Sequence, residues 1–281
     1  MTDGETPEAA APMRDLGQRI VSAAAMALVV LGALWAGSLP FAIVVGAVGI
    51  VVVWEWGRIV RAGGVDAIMA IQAVAVIAGV VLAARGLAGL GLIAVLVAAI
   101  ISALLAFGER GHMAALGALY AGLPVVALVW LYRGDAAGPT AVLFLLLAVW
   151  ATDTGAYFAG RLIGGPKLMV RISPNKTWSG LAGGMGAGGV VGAAFALARP
   201  ELSLGYMLLA GALLGAVAQG GDLLESALKR EYGVKDASAL IPGHGGVMDR
   251  IDGLIAVVIV SAVYAAAVGV HAPARALLGL N

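Results

Sequence analysis

Long apolar runs constrain this chain more than any other feature. Residues 20–35, 41–56, 87–107, 114–132 and 253–270 carry very little charge, and each is long enough, or nearly so, to cross about 30 Å of hydrocarbon as a helix. A helix satisfies its own backbone polar groups in that medium, so the expected fold is all-α, a polytopic transmembrane helical bundle. Composition agrees: 62% hydrophobic and 12% charged residues, with a mean hydropathy of +1.01, fall well outside the range of soluble domains. Nine spans are expected, near 19–37, 40–57, 66–84, 87–107, 113–132, 139–160, 179–198, 203–222 and 252–271. The runs at 139–160 and 203–222 are the weakest, and eight is the other count.

Positive charge orients such a bundle, because short loops rich in Lys and Arg stay on the cytoplasmic side. With the N-terminus in the cytoplasm, all of the 17 Lys and Arg residues except Arg85, Arg133, Arg199 and Arg275 fall inside. That places two long polar segments, 153–179 and 223–251, on the cytoplasmic face. Residues 1–18 combine proline, small residues and acids, which suits a short solvated tail better than a signal peptide. Residues 19–150 hold no cluster of ionisable groups and are expected to be scaffold, whereas 151–281 carry the chemistry. Glu55 and Glu109 lie at span ends beside Arg58 and Arg110, where interfacial snorkelling or local pairing accounts for them. The chain has no cysteine, so any metal must sit on oxygen or imidazole.

In the first polar segment Asp153 follows directly on an apolar run, and the cost of a carboxylate there points to a cation partner over a pair with Arg161. Lys176, with Ser173, Thr177 and Ser179 nearby, stands where a helix begins and can offer an ammonium and hydroxyls to a phosphate. An N-cap beside a solvated lysine is the plainer alternative. Gly180, Gly184, Gly188 and Gly192 then line one stripe of the next helix, a close-packing face whose partner is either in the chain or in a second copy, a homodimer.

Before the last span, Asp222, Glu225, Ser226, Lys229 and Arg230 recur at helical offsets of three and four. A Glu225–Lys229 surface pair explains two of them. Asp222 sits deeper, and its expected burial points to a cation such as Mg²⁺, which takes oxygen ligands and bridges to phosphates. Pro242-Gly243-His244-Gly245-Gly246 is expected to turn backbone N–H groups towards a phosphate. Asp249 and Asp252 can face one way beside Arg250, which favours metal binding over simple capping. The lone His244 is either structural or catalytic.

The run Ser226, Lys229-Arg230, Lys235-Asp236, His244-Gly245-Gly246 and Asp249-Arg250 with Asp252 resembles, at matching spacing, the signature of the phosphatidate cytidylyltransferase (CDP-diacylglycerol synthase) family. Gln219-Gly220-Gly221-Asp222, Asp153-Thr154-Gly155-Ala156-Tyr157 with Gly160-Arg161, and Ser173-Pro174-Asn175-Lys176-Thr177-Trp178 resemble family motifs too. Ser179 departs, since members usually carry Glu or Gln there. The resemblance implies transfer of a cytidylyl group from CTP to phosphatidate in a bacterial cytoplasmic (inner) membrane, with pyrophosphate released. On this account Asp222, Asp249, Asp252 and Asp153 bind Mg²⁺, with a second cation as an option. Asp222, Lys229, Arg230, Asp249 and Arg250 act at the reacting phosphates, while Ser173, Lys176, Thr177, Ser226, Lys235, His244, Gly245 and Gly246 bind substrate. Nucleic acid is not an expected partner. A CTP-dependent polytopic lipid kinase and, behind it, a membrane transporter are the alternatives.

Overall fold

The computed structural model describes residues 11–61, 63, 65–108, 111–134, 136–243 and 245–280. In chain order it contains α1 (Ala11–Ala36), α2 (Ser38–Arg61), α3 (Ala67–Ala84), α4 (Ala88–Leu105), α5 (Gly111–Tyr132) and α6 (Ala137–Leu162). A hairpin follows, β1 (Lys167–Met169) and β2 (Ser173–Thr177), then α7 (Trp178–Ala198), α8 (Leu204–Glu231), α9 (Met248–Gly269) and the short α10 (Pro273–Leu277). Among the described residues, α2 to α9 are the eight helices long and apolar enough to cross a membrane. The apolar part of α1 is shorter, Ile20–Ala36. The all-α polytopic bundle is as expected, with eight candidate spans and a shorter ninth apolar helix. Large side chains such as Leu28, Leu104 and Val263 point outward at 72%, 62% and 66% exposure, as a lipid-facing surface requires.

Two polar segments are more ordered than their composition suggested. The helix α6 continues through Asp153 to Leu162, because its next breaker is Gly164-Gly165-Pro166, with φ of +65° and +102° at the two glycines. Thr154 turns its hydroxyl back to the Trp150 carbonyl at 2.8 Å, so a polar residue adds no break. Likewise α8 runs on to Glu231; its 28 residues span about 42 Å, more than the hydrocarbon needs. The connections that remain are 163–177, folded as the antiparallel hairpin with Lys167 opposite Thr177 and Met169 opposite Ser173, and 232–247.

Apolar side chains form two clusters. One gathers α1, α2, α3 and α5 around Phe41, Val53, Val76 and Val126. The other gathers α5, α6, α8, α9 and α10 around Leu131, Phe144, Leu145, Met207 and Val257. Helix α5 serves both, and the Tyr132 hydroxyl at its end reaches the Leu34 carbonyl at 2.9 Å while the ring stacks on Phe41.

The glycine stripe of α7 is used inside the chain. A Cβ on Gly184 would lie 3.0 Å from the Thr152 carbonyl of α6. One on Gly188 or Gly192 would run into the Gly211 or Met207 carbonyl of α8. Glycine therefore lets α7 lie almost backbone to backbone between α6 and α8. That packing brings Asp153 on α6, Lys176 just before α7 and Asp222 on α8 to one place.

Candidate active site

A cavity of about 1560 Å³ penetrates the bundle between α1, α2, α5, α6, α8 and α9. Its lining changes character along each helix. On α6 it passes from Val142, Leu146 and Val149 to Asp153, Tyr157 and Arg161; on α9 it passes from Leu254, Ile255 and Val258 to Asp252, Arg250 and Asp249. The apolar walls are completed by α1, α2 and α5 through Met26, Val30, Phe41, Val45 and Leu128. A charged mouth thus continues into a hydrocarbon-like chamber.

Both polar segments close the charged end. Lys176, at the end of the hairpin, pairs with Asp222 of α8 at 2.6 Å and also reaches the Gln219 carbonyl at 3.4 Å. Ser226, one turn beyond Asp222, donates its hydroxyl to the same carboxylate at 3.3 Å. Lys229 lies between Glu225 at 2.6 Å and Asp249 at 2.7 Å. The expected surface pair is therefore a buried one: the Glu225 side chain is 0% exposed and that of Lys229 11%. Glu225 Oε2 stands 2.6 Å from Lys229 Nζ, the distance of a close ion pair. Desolvated charges of this kind tolerate no loss of one partner.

Asp249 starts α9 and is enclosed by its own segment. Its carboxylate accepts from Lys229, from the Ala237 amide at 3.2 and 3.0 Å, and from the Gly246 amide at 2.7 Å. The Gly246 amide, expected to face a phosphate, serves Asp249 instead, and the Gly245 carbonyl accepts from Ile241 N at 2.8 Å. The glycines allow this tight wrapping, with Gly245 at φ +82°.

Glu55 is the group that sequence reasoning missed. It is fully buried, neither snorkelling nor paired with Arg58, which instead lies over the Trp54 ring. It accepts from Ser238 Oγ at 2.6 Å, Val247 N at 2.9 Å and Met248 N at 2.6 Å. The same cost that marked Asp222, a carboxylate set against an apolar run, was present at Glu55 in 41–56.

Of the expected site residues, Asp153, Lys176, Thr177, Asp222, Lys229, Asp249, Arg250 and Asp252 line the cavity. Thr177 does so with its hydroxyl engaged, accepting from Gly180 N at 3.0 Å as the N-cap of α7. The remaining described ones, Ser173, Ser226, Arg230, Lys235, Gly245 and Gly246, are not among its lining. Ser173 sits on the hairpin opposite Met169, while Arg230 and Lys235 are exposed. His244 lies outside the described residues, as do Glu109 and Arg110. Ser179 donates to the Gly164 carbonyl and contacts Thr177 Oγ1, tying the hairpin to α7. Arg161 bonds the Tyr157 hydroxyl at 2.8 Å, not Asp153. Asn175, Gln219 and Asp236 join the lining without having been singled out as site residues.

The donor chemistry suits a hard cation. Asp153, Asp222 and Asp252 come from three helices and line one cavity. Carboxylate oxygens are the ligands Mg²⁺ prefers. Among the described residues no three acidic or histidine side chains close on a single point; Lys176 and Lys229 supply the positive charge beside these acids.

A charged cavity that opens into apolar walls inside a bundle of membrane-length helices is the architecture of an enzyme working on an amphipathic molecule within the bilayer. The sequence profile of the cytidylyltransferase family matches residues 17–268, and the chain belongs to that family. It is 38% identical over 251 residues to the phosphatidate cytidylyltransferase of Brucella suis, covering 87% of this chain and 91% of that one. It is 34% identical over 263 residues to the Bacillus subtilis phosphatidate cytidylyltransferase, covering 86% and 95%. With the Haemophilus influenzae protein of the same name it shares 46% identity over 123 residues, 42% of each chain. These relatives favour neither the lipid kinase nor the transporter alternative.

Proposed function

We propose that the protein is a phosphatidate cytidylyltransferase that converts CTP and phosphatidate to CDP-diacylglycerol and pyrophosphate. The observation that carries this reading is the continuity of the cavity: Lys176, Asp222, Lys229, Asp249 and Asp252 stand at one end and aliphatic walls from α1, α2, α5, α6 and α9 at the other. Such a space takes a phosphate group and its acyl chains together. Lys167, Arg171 and Lys176 in 163–177, with Lys229, Arg230 and Lys235 at the end of α8 and just beyond it, support a cytoplasmic orientation in a bacterial inner membrane, with the N-terminus inside.

In the reaction a phosphatidate oxygen attacks the α-phosphorus of CTP, the bond from that phosphorus to the bridging oxygen breaks, and pyrophosphate leaves with the electron pair. The attacking phosphate is already ionised near neutral pH, so no general base is needed. The work is to bring two polyanions together and hold them in line. Lys229, largely buried, and Arg250, exposed at the charged mouth, line the cavity and offset phosphate charge there. Lys176 is placed to exchange Asp222 for a phosphate oxygen, and Arg161 extends the cationic wall. Arg230 and Lys235, on the exterior, act at most at the entrance. Asp222, Asp252, Asp153 and Asp249 would supply carboxylate oxygens to Mg²⁺, with phosphate oxygens of CTP completing its ligands. When bound, Mg²⁺ would supply charge neutralisation at the triphosphate.

The purified chain in vesicles tests the proposal. Pyrophosphate release is expected only with CTP, phosphatidate and Mg²⁺ all present; release without the lipid, or none with all three, overturns it.

A further inference from the structure

Glu55 and Asp249 hold the same two dipeptides, Ala237-Ser238 and Gly246-Val247. The Ala237 amide donates to Asp249, and the hydroxyl of the next residue, Ser238, donates to Glu55. The Gly246 amide donates to Asp249, and the next amide, Val247, donates to Glu55, with Met248 adding a third bond. Asp249 in turn holds Lys229 Nζ at 2.7 Å in the cavity wall. A carboxylate on α2, separated in sequence from its partners by 183 to 193 residues, is thus one segment away from the ammonium that meets substrate.

We propose that Glu55 is a positioning residue for cytidylyl transfer: it fixes the 232–247 segment and the first turn of α9 so that Asp249 holds Lys229 in the cavity. The inference rests on the reaction proposed above. Capping alone does not account for the geometry. Glu55 does accept from the Val247 and Met248 amides at the start of α9, as a helix end requires, but it also accepts from the Ser238 hydroxyl, which belongs to no helix. The fit is also tight: a Cβ on Gly246 would come 2.5 Å from Glu55 Oε1, and one on Gly245 would come 2.8 Å from Asp249 Oδ2. Both glycines make room for a carboxylate.

The test uses the full chain in vesicles. Glu55→Gln keeps the shape but turns an NH₂ group towards donors that need an acceptor. Its kcat per folded enzyme is expected to fall about a hundredfold, the effect of displacing a catalytic group by an ångström, with KM for CTP little changed. Gly246→Ala, which crowds Glu55 without altering it, gives the same split between kcat and KM and decides the matter if Glu55→Gln does not fold. As a control, Gln72→Leu removes a buried amide that bonds Ser102 and the Ala114 carbonyl; it lowers thermal stability and leaves kcat intact. Hydrogen–deuterium exchange in Glu55→Gln rises at 237–248 alone, an arm that requires no turnover. A kcat within about twofold of wild type, or a loss matched by Gln72→Leu at equal stability, overturns the proposal. An inactive wild type instead contradicts the reaction, and exchange that rises throughout the bundle contradicts the local clamp.

Discussion

The helices α2 to α5 and the helices α6 to α9 bury polar groups for different ends. In the first set polar side chains knit helix to helix: Gln72 joins α3 to α4 and α5, and Trp56 Nε1 donates to the Met113 carbonyl at 2.8 Å. In the second set the charged groups are gathered around open space, with Asp153, Lys176, Asp222, Lys229 and Asp252 all on the cavity wall. Burying polar groups is costly in both, so the cost alone does not identify function. What separates a scaffold from a site is whether the buried group faces its own chain or a volume another molecule can fill. Glu55 crosses that division, being a member of the first set whose bonds all go to the second.

Asp222→Asn breaks the comparison most sharply. Its side chain is 34% exposed to the cavity, so turnover should fall by about a thousandfold while thermal unfolding stays near that of the wild type; near-normal turnover with saturating Mg²⁺ would remove Asp222 from the site. Lys229→Met comes next, because it strands Glu225 and Asp249 in a desolvated pocket. A loss of about 3 kcal/mol in stability is expected together with loss of activity. The double change Glu225→Gln with Lys229→Met should recover part of that stability without activity, since Asp249 keeps only its Ala237 and Gly246 amide donors, as unfolding and turnover measured on the same preparation would show. If activity returned as well, Lys229 would belong with the scaffold. The smallest effect sharpens the boundary inside α6 to α9: Thr177→Ala removes the α7 cap at a cost of about 1 kcal/mol and should leave turnover per folded enzyme unchanged.

The helices, the approximate span boundaries and the cluster of acids and lysines near 222–252 were legible because each depends on near neighbours in sequence. Hydropathy marks a span, and offsets of three and four mark a helix face. The convergence of 153–179 with 223–251 was legible too, since both emerge on one side of the bundle. Depth was not: spacing cannot tell a Glu225–Lys229 pair on a surface from one sealed inside, and only the packing of α9 against α8 decides it. Nor does spacing say what a turn amide will bond. The Gly246 amide suited a phosphate equally well until Asp249 was seen to fold back on it. The role of Glu55 depends on contacts more than 180 residues apart, and only the tertiary fold brings those partners together.

Attack by the lipid phosphate at the α-phosphorus of CTP joins a cytidylyl group to the lipid and releases the β- and γ-phosphorus as pyrophosphate. Phosphatidate vesicles containing the protein, given CTP labelled at either the α- or the γ-phosphorus, test it directly. The account predicts α-label in the lipid product and γ-label in released pyrophosphate. Label from the γ-position appearing in lipid, with none from the α-position, would contradict it and make the protein a lipid kinase.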